Sequence, residues 1–455
     1  MNHSELDCLV SRLRETFNIP AVSAAFYADG QICTSDLGCE EDTLFAIGSC
    51  TKSFTAGTIL ALQDKGKLSV DDRIKDHLPE FRLSSPGIED TLTIRDILSH
   101  RSGFPGCDLA WYARHDSFGE EDLQKAISLL PLSAKPGEVH QYNNMMFALS
   151  GMIIERSTGM SWKDAVKTYL LEPLGIRKAA FSFEEAEKIG LVADPYVQGK
   201  TGNIIVPHAH LGAVAPAGSM YMTAKELLKW DVTLLNRGQG KNGEVLSYSA
   251  VKELTKPNIP DPYDDTLPEL AAVLKNRSYC LGFQREEFEN EILLFHGGAI
   301  DGFLANQNFM PGRNCAAVLL SDLSGTLVRE AFQYGFAGRI LGDDRDWIKL
   351  FGQMQQPVSD SDIILQIPFK DADELMGSYE HPLFGKVIIS KEDDHYSAAI
   401  GMLKMPVIFA ENGPALFHPE FGILDIEIAR RNGKISSLKI SAEPSIKERF
   451  EFTRS

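Results

Sequence analysis

The order of apolar runs along this chain constrains its fold more than any single motif does. Leu6, Leu9, Val10, Leu13 and Phe17 recur at three- and four-residue steps, which predicts an amphipathic first helix. AVSAAFYADG (21–30), QICTSDLG (31–38) and TLFAIGS (43–49) then read as strands of a meander, separated by Gly and Asp. From Thr51 to about residue 175 the pattern is helical, as in FTAGTILALQDKG and NNMMFALSGMIIERSTG. Apolar runs return at 292–296, 303–309 and 315–320, and a helical stretch follows near 326–341. Strands first, helices in the middle, then strands and a helix suit one sheet built from both chain ends around a helical insert.

Near 354–371 periodicity fades while Pro, Ser and Asp accumulate, so a linker is expected over 356–371. Beyond it, KVIIS (386–390), HYSAAI (395–400), ILDIEIA (423–429) and KISSLKI (434–440) follow at short intervals, which predicts a small barrel or sandwich over 372–455. A first domain is therefore expected over 1–355. Ten basic and thirteen acidic residues from 372 onward leave −15 of the net charge of −18 in the first 371 residues. An acidic surface of this kind excludes a nucleic-acid or anionic-membrane footprint, which needs basic charge. No run approaches the ~18 apolar residues of a membrane span. The charged N-terminus reads as no secretory signal, and seven cysteines without CxxC pairing suit free thiols, so a cytoplasmic location is expected.

Several matches fail on context. Gly238, Gly240 and Gly243 spell GxGxxG, but a helix-like segment precedes them and no helix follows. His208 and His210 have no further ligand at metal spacing. Neither a P-loop nor a GxSxG elbow is present. Ser-x-x-Lys occurs three times. Ser436 and Lys439 lie on a strand, where they point to opposite faces. Ser249, before Lys252, reads as a helix N-cap. Ser49 and Lys52 differ: LFAIG delivers Ser49 to the start of a nearly charge-free helix, which should be buried. Residues three apart on a helix share a face, and burial lowers a lysine pKa toward what a proton acceptor needs.

Ser49-Cys50-Thr51-Lys52 resembles the active-site tetrad of the penicillin-recognising serine hydrolases, which include class C β-lactamase-like enzymes, esterases and D-stereospecific peptidases. The likeness runs over about residues 5–345, through LSHRSGFPG (98–106), PGEVHQYNN (136–144), SGMIIERSTGMSW (150–162), EPLGI (172–176) and APAGSMYMTAKELLKW (215–230). It implies an α/β (α+β) catalytic domain with a helical subdomain and Ser49 as nucleophile. Tyr142 would be the general base, and Asn144 would orient Lys52 and the substrate amide. Whether Lys52 or Tyr142 accepts the proton in acylation stays open, because their titrations are coupled.

The family's third motif has three candidates. Lys200-Thr201-Gly202 lies in a predicted hairpin turn, and His210-x-Gly212 precedes a loop. His296-Gly297-Gly298 ends an apolar strand and leads into two more strands and a helix, so strand context selects His296. By the same resemblance, Gly297, Gly298 and Ala299 bind substrate, and the N–H groups of Ser49 and Ala299 form the oxyanion hole. Lysine here would offer a permanent cation to a substrate carboxylate; histidine is mostly neutral near pH 7. That favours peptidases and esterases over β-lactamases and carboxypeptidases. Cys50 should point away from the site.

Residues 372–455 resemble the lipocalin-like barrel that follows such catalytic domains in D-aminopeptidases and self-compartmentalising archaeal peptidases. There it shapes substrate access or drives oligomerisation, so a homo-oligomer is among the expectations. The resemblance implies an acyl-enzyme hydrolase of a small molecule, short peptide or amide, with D-residues or a free amino end among the forms covered. A carboxylesterase, a transacylase, a β-lactamase and an inactive penicillin-binding-like scaffold are the alternatives. No metal or cofactor is implied.

Overall fold

In a computed structural model, residues 1–114, 117–199, 202–262, 268–355, 372–393, 395–410, 413–418, 421–442, 446 and 449–455 are described. The first helix spans His3–Phe17 and starts with a reciprocal capping box between Asn2 and Glu5. It ends at Asn18, which takes the left-handed conformation at φ 54°. Its apolar stripe buries Leu6, Val10, Leu13 and Phe17, and burying each such side chain contributes about 1.5–3 kcal/mol.

That stripe covers one face of an eight-stranded antiparallel sheet. In spatial order its strands are Ile259–Pro260, Leu274–Tyr279, Gln284–Phe288, Glu291–Ile300, Phe303–Met310, Cys315–Ser321, Val22–Ala28 and Gln31–Leu37. Both chain ends build it: Val22 pairs with Ser321 and Ala28 with Cys315. The side chains of Ala24, Phe26, Ala317 and Leu319 pack with the first helix and with helix Val328–Leu341. Ala25, Ala305, Val318 and Leu320 face the helical insert instead. Phe303–Met310 and Cys315–Ser321 are therefore buried at every position, which explains runs such as CAAVLL that show no polar alternation.

TLFAIGS does not continue the meander. Gly38, at φ 78°, turns the chain against Pro20, where a Cβ would lie 2.1 Å from the Pro20 carbonyl oxygen. The chain leaves the sheet edge there, and Phe45–Ala46 pairs with Tyr221–Met222 in a separate three-stranded sheet. This detour carries Ser49 to the junction between the large sheet and the helices.

The C-terminal strands close into an eight-stranded barrel, from Gly377–His381 to Phe450–Arg454. Closure comes from pairing of the first strand with the last, Tyr379 with Arg454 and Glu380 with Thr453. Val387, Ile389, Met405, Leu424 and Phe452 are buried in its core. The expected linker, 356–371, lies outside the described residues. Two backbone-anchored contacts dock the barrel on the segment 109–114. The Met402 N–H donates to the Ala113 carbonyl at 2.9 Å, and Arg114 Nη2 donates to the Leu383 carbonyl at 3.2 Å.

Candidate active site

Gly48, at φ 48°, opens a tight helical turn, Gly48–Cys50, that runs into helix Thr51–Asp64. Every residue of that helix through Leu62 is buried, Lys52 completely. Lys52 Nζ stands 3.0 Å from Ser49 Oγ, 2.7 Å from Asn144 Oδ1 and 2.7 Å from the Ala217 carbonyl oxygen. Burial brings its pKa down from 10.5 to about 7, against the opposing pull of Asp108 and Cys50. A neutral amine has two N–H groups and one lone pair. Because Asn144 Oδ1 and the Ala217 carbonyl only accept, they take the two N–H groups, and the lone pair is left facing the Ser49 hydroxyl.

Asn144 begins helix Asn144–Thr158, which is capped by the Asn143 side chain on the Met146 N–H at 2.9 Å. Its other amide atom, Nδ2, donates to Asp108 Oδ2 at 2.9 Å, and this bond fixes Oδ1 toward Lys52. Tyr142 Oη donates to Ser49 Oγ at 2.8 Å. Burial raises the Tyr142 pKa, although its bond to Ser49 pulls the other way, so the phenol is protonated at neutral pH. Lys52 and Tyr142 thus meet at the Ser49 hydroxyl oxygen, and Asn144 joins them through Lys52.

His296 lies on strand Glu291–Ile300 and is buried behind this cluster. Its Nδ1 is 2.7 Å from the Gly297 carbonyl, which accepts, so Nδ1 carries the proton and Nε2 accepts from Tyr279 Oη at 2.8 Å. Burial, then Lys52, holds its pKa down to about 3, so the ring is neutral. Its centroid is 6.4 Å from that of Tyr142, and the surrounding cavity is lined without it.

The rest of that strand approaches Ser49 by backbone. The pairing with Gln284–Phe288 stops at Phe295, so residues beyond it keep one side free of that neighbour. A Cβ on Gly298 would lie 2.0 Å from the Ile47 carbonyl oxygen, and one on Gly48 would lie 2.8 Å from the Ala299 nitrogen. Only glycine allows this closeness. Ala299 lines the cavity with Ser49, whereas Gly297 faces Arg329. Cys50 points away and donates to the His296 carbonyl at 3.2 Å; burial raises its thiol pKa.

A cavity of about 140 Å³ opens beside Ser49. Asp108, Tyr112, Asp301 and Phe421 line it, and none of these is singled out by sequence pattern. Asp108 sits two residues past LSHRSGFPG, but a lone carboxylate in a loop carries no spacing signal. Phe421 belongs to the barrel, and its ring packs edge-on at 5.4 Å against Tyr112. Tyr112 in turn donates to Asp301.

The beta-lactamase family model matches residues 6–338. The chain belongs to the beta-lactamase family. An unguisins hydrolase from Aspergillus campestris is 26% identical over 380 residues, 78% of this chain and 69% of that protein. The octameric penicillin-binding protein homologue from Pyrococcus abyssi superposes with a TM-score of 0.66 at 22% identity, over 99% of this chain and 100% of that one. A D-stereospecific amidohydrolase from Streptomyces sp. superposes with a TM-score of 0.54 at 22% identity, over 71% of this chain and 95% of that one. These two structural likenesses show the fold, and the barrel falls within the first of them.

The remaining motif matches in this beta-lactamase family member lie elsewhere. Lys200 and Thr201 are outside the described residues; the strands on either side, Tyr196–Gly199 and Gly202–Ile205, pair as a hairpin. Gly240 and Gly243 belong to a two-residue ribbon after helix Ala224–Leu235. His208 approaches the Tyr221 hydroxyl, and His210 lies 3.6 Å from Glu184. No group of three metal-ligating side chains occurs among the described residues. Ser249 is not the helix cap: Ser247 caps Tyr248–Thr255, because its Oγ sits three residues ahead of the Ala250 N–H that it accepts. Among the described residues no helix is long and apolar enough to cross a membrane.

Proposed function

We propose that this beta-lactamase-family chain is an acyl-enzyme amidase or peptidase acting on short peptides or amides, with Ser49 as nucleophile. The observation that carries this reading is the placement of the Lys52 lone pair on Ser49, imposed by two accept-only partners. Lys52 takes the Ser49 proton as Oγ attacks the amide carbonyl. The N–H groups of Ser49 and Ala299 hold the developing oxyanion. Tyr142 gives its phenolic proton to the departing amine nitrogen. In deacylation the attacking water returns a proton to Tyr142, and Lys52 returns its own to Ser49 as the acyl group leaves. Gly298 keeps the strand close enough for this, and neutral His296 supports Tyr279 behind Tyr142.

The cavity favours a substrate with a free amino end. Two carboxylates, Asp108 and Asp301, line it, and among the described residues no Lys or Arg does. A penicillin-like carboxylate meets no cation there, which counts against a β-lactamase. Preference for a D-residue belongs to the same reading and rests on likeness to the amidohydrolase. Division of the chain into a catalytic unit over 1–355 and a barrel over 372–455 is also part of the proposal, as is homo-oligomerisation through the barrel. The latter is supported by the octameric homologue and is testable by light scattering. Seven free cysteines suit a reducing, cytoplasmic setting.

The test is hydrolysis of D-Ala-, L-Ala- and N-acetyl-D-Ala-p-nitroanilide beside p-nitrophenyl butyrate, in wild type and Ser49→Ala. Cleavage of the free D-amine anilide, lost in the variant, supports the reading. Ester cleavage alone makes the protein an esterase or transacylase, and equal rates in both proteins remove Ser49 as nucleophile.

A further inference from the structure

We propose that His100 is the positioning residue that holds Tyr142 against Ser49, an inference that rests on the role given to Tyr142 above. His100 follows helix Ile94–Leu98 and is fully enclosed, at 1% exposure. Its backbone adopts the left-handed conformation, φ 54°, which is uncommon for a side-chain-bearing residue and persists where the surroundings over-determine it.

The surroundings do so by gripping the chain on both sides of Tyr142. The Gln141 N–H donates to the His100 carbonyl at 2.7 Å, and the Asn143 N–H donates to His100 Nδ1 at 3.1 Å. Between these two bonds the Tyr142 ring lies on the imidazole, with centroids 4.1 Å apart and planes 35° from parallel. Tyr279 and Phe147 close on other sides of the imidazole, at 4.7 Å and 5.5 Å. A backbone bond on each flank and a ring contact leave the Tyr142 phenol one direction, toward Ser49 Oγ.

The same loop is tied down further. Asn143 Nδ2 donates to the carbonyls of Phe104 and Pro105, and the Gly137 N–H donates to that of Arg101. LSHRSGFPG and PGEVHQYNN, far apart in sequence, are thus stitched together, and His100 is the stitch at Tyr142. The grip requires a neutral imidazole, since Nδ1 must accept. The neutral tautomer then has its proton on Nε2, an atom without a protein partner in the described structure. Burial and the nearby Lys52, His140 and His296 favour that neutral form.

The experiment compares wild type, His100→Ala, His100→Asn and His100→Gln by anilide hydrolysis and by the rate of Ser49 labelling with a fluorophosphonate. Each variant is also made in a Tyr142→Phe background, and thermal unfolding is followed in parallel. In His100→Ala, kcat on the anilide is expected to fall about 30- to 100-fold with KM unchanged, the scale of a misplaced catalytic group, whereas fluorophosphonate labelling of Ser49 falls much less because fluoride leaves without a proton from Tyr142. In His100→Asn, Oδ1 takes the place of Nδ1 and the left-handed backbone is tolerated, so most of the rate returns. Glutamine reaches one methylene too far and stays slow, which keeps the test decisive if the alanine variant does not fold. In the Tyr142→Phe background, replacing His100 should change the rate by less than about twofold, because both changes act through one residue.

Asparagine as slow as glutamine, or a full His100→Ala penalty in the Tyr142→Phe background, overturns the proposal. So does an alanine variant that is active at the wild-type rate. Equal labelling of wild type and Ser49→Ala removes the nucleophile, and this inference falls with it. A normal Ser49 dependence with an indifferent His100 refutes this inference alone.

Discussion

Lys52 Nζ and Asn144 Oδ1 are 2.7 Å apart, and because that oxygen is held by Asp108 through the same amide, the lysine meets an acceptor that cannot turn into a donor. With the Ala217 carbonyl as the second accept-only partner, Ser49 receives whatever lone pair the amine has.

Activity should therefore depend on neutral Lys52. Its pKa is lowered to about 7, so kcat/KM is expected to rise with pH through about 7 and then level off. Lys52→Arg, always protonated, should lose activity by at least about 10³-fold, which pH–rate profiles on the p-nitroanilide will show. Stability carries the same signature. Between pH 7 and 10 the unfolded chain binds the Lys52 proton and the folded chain does not, so this group makes the fold more stable as pH rises over that window.

Removing the Asp108 charge should move the acidic limb. Asp108 raises the Lys52 pKa through its charge and fixes Asn144 by a hydrogen bond. In Asp108→Ala, the limb is expected to shift to lower pH, while kcat falls about tenfold as the Asn144 amide loses its anchor. A limb that stays in place would contradict the electrostatic link.

Tyr142→Phe should separate amides from esters. An amine must be protonated to leave and p-nitrophenolate need not be, so p-nitroanilide cleavage should drop about 10²- to 10⁴-fold, and the p-nitrophenolate burst that reports acylation by p-nitrophenyl butyrate much less. Parallel assays on one preparation give the ratio directly.

Gly298→Ala tests the close approach of the strand to the segment that carries Ser49. The added Cβ would sit 2.0 Å from the Ile47 carbonyl oxygen, so the strand must retreat. Overpacking of this kind costs about 1–3 kcal/mol, visible in thermal or denaturant unfolding, and kcat should fall because Ala299 moves away from Ser49.

Phe421→Ala tests the contribution of the barrel. The ring lines the cavity and packs on Tyr112, so its removal should raise the relative rate on the bulkier N-acetyl-D-Ala anilide. Gly401→Val should act differently. A Cβ there would lie 2.0 Å from the Ala113 carbonyl oxygen, so this change should unseat the barrel and lower all rates. Rate ratios across the anilide panel distinguish the two.

What short-range geometry dictates was legible in the residues alone. The one-turn spacing of Ser49 and Lys52, the apolar stripe of the first helix and the strands near 292–320 depend on neighbours within a few residues. The return of those strands to the first ones was legible as well, because a chain end made of buried runs has to find another such surface. The rest came from long-range packing. Phe45–Ala46 left the sheet because Gly38 turned the chain against Pro20, a contact that no periodicity encodes. Barrel rather than sandwich was settled by pairing of Tyr379 with Arg454, across the whole domain. Asp108 on Asn144, Tyr279 on His296, His100 around Tyr142 and Phe421 over the cavity join residues from 17 to more than 300 positions apart. Such contacts exist only after packing has brought separate elements together, and so local pattern names the reacting groups while tertiary packing sets their direction, their charge and the room left for a substrate.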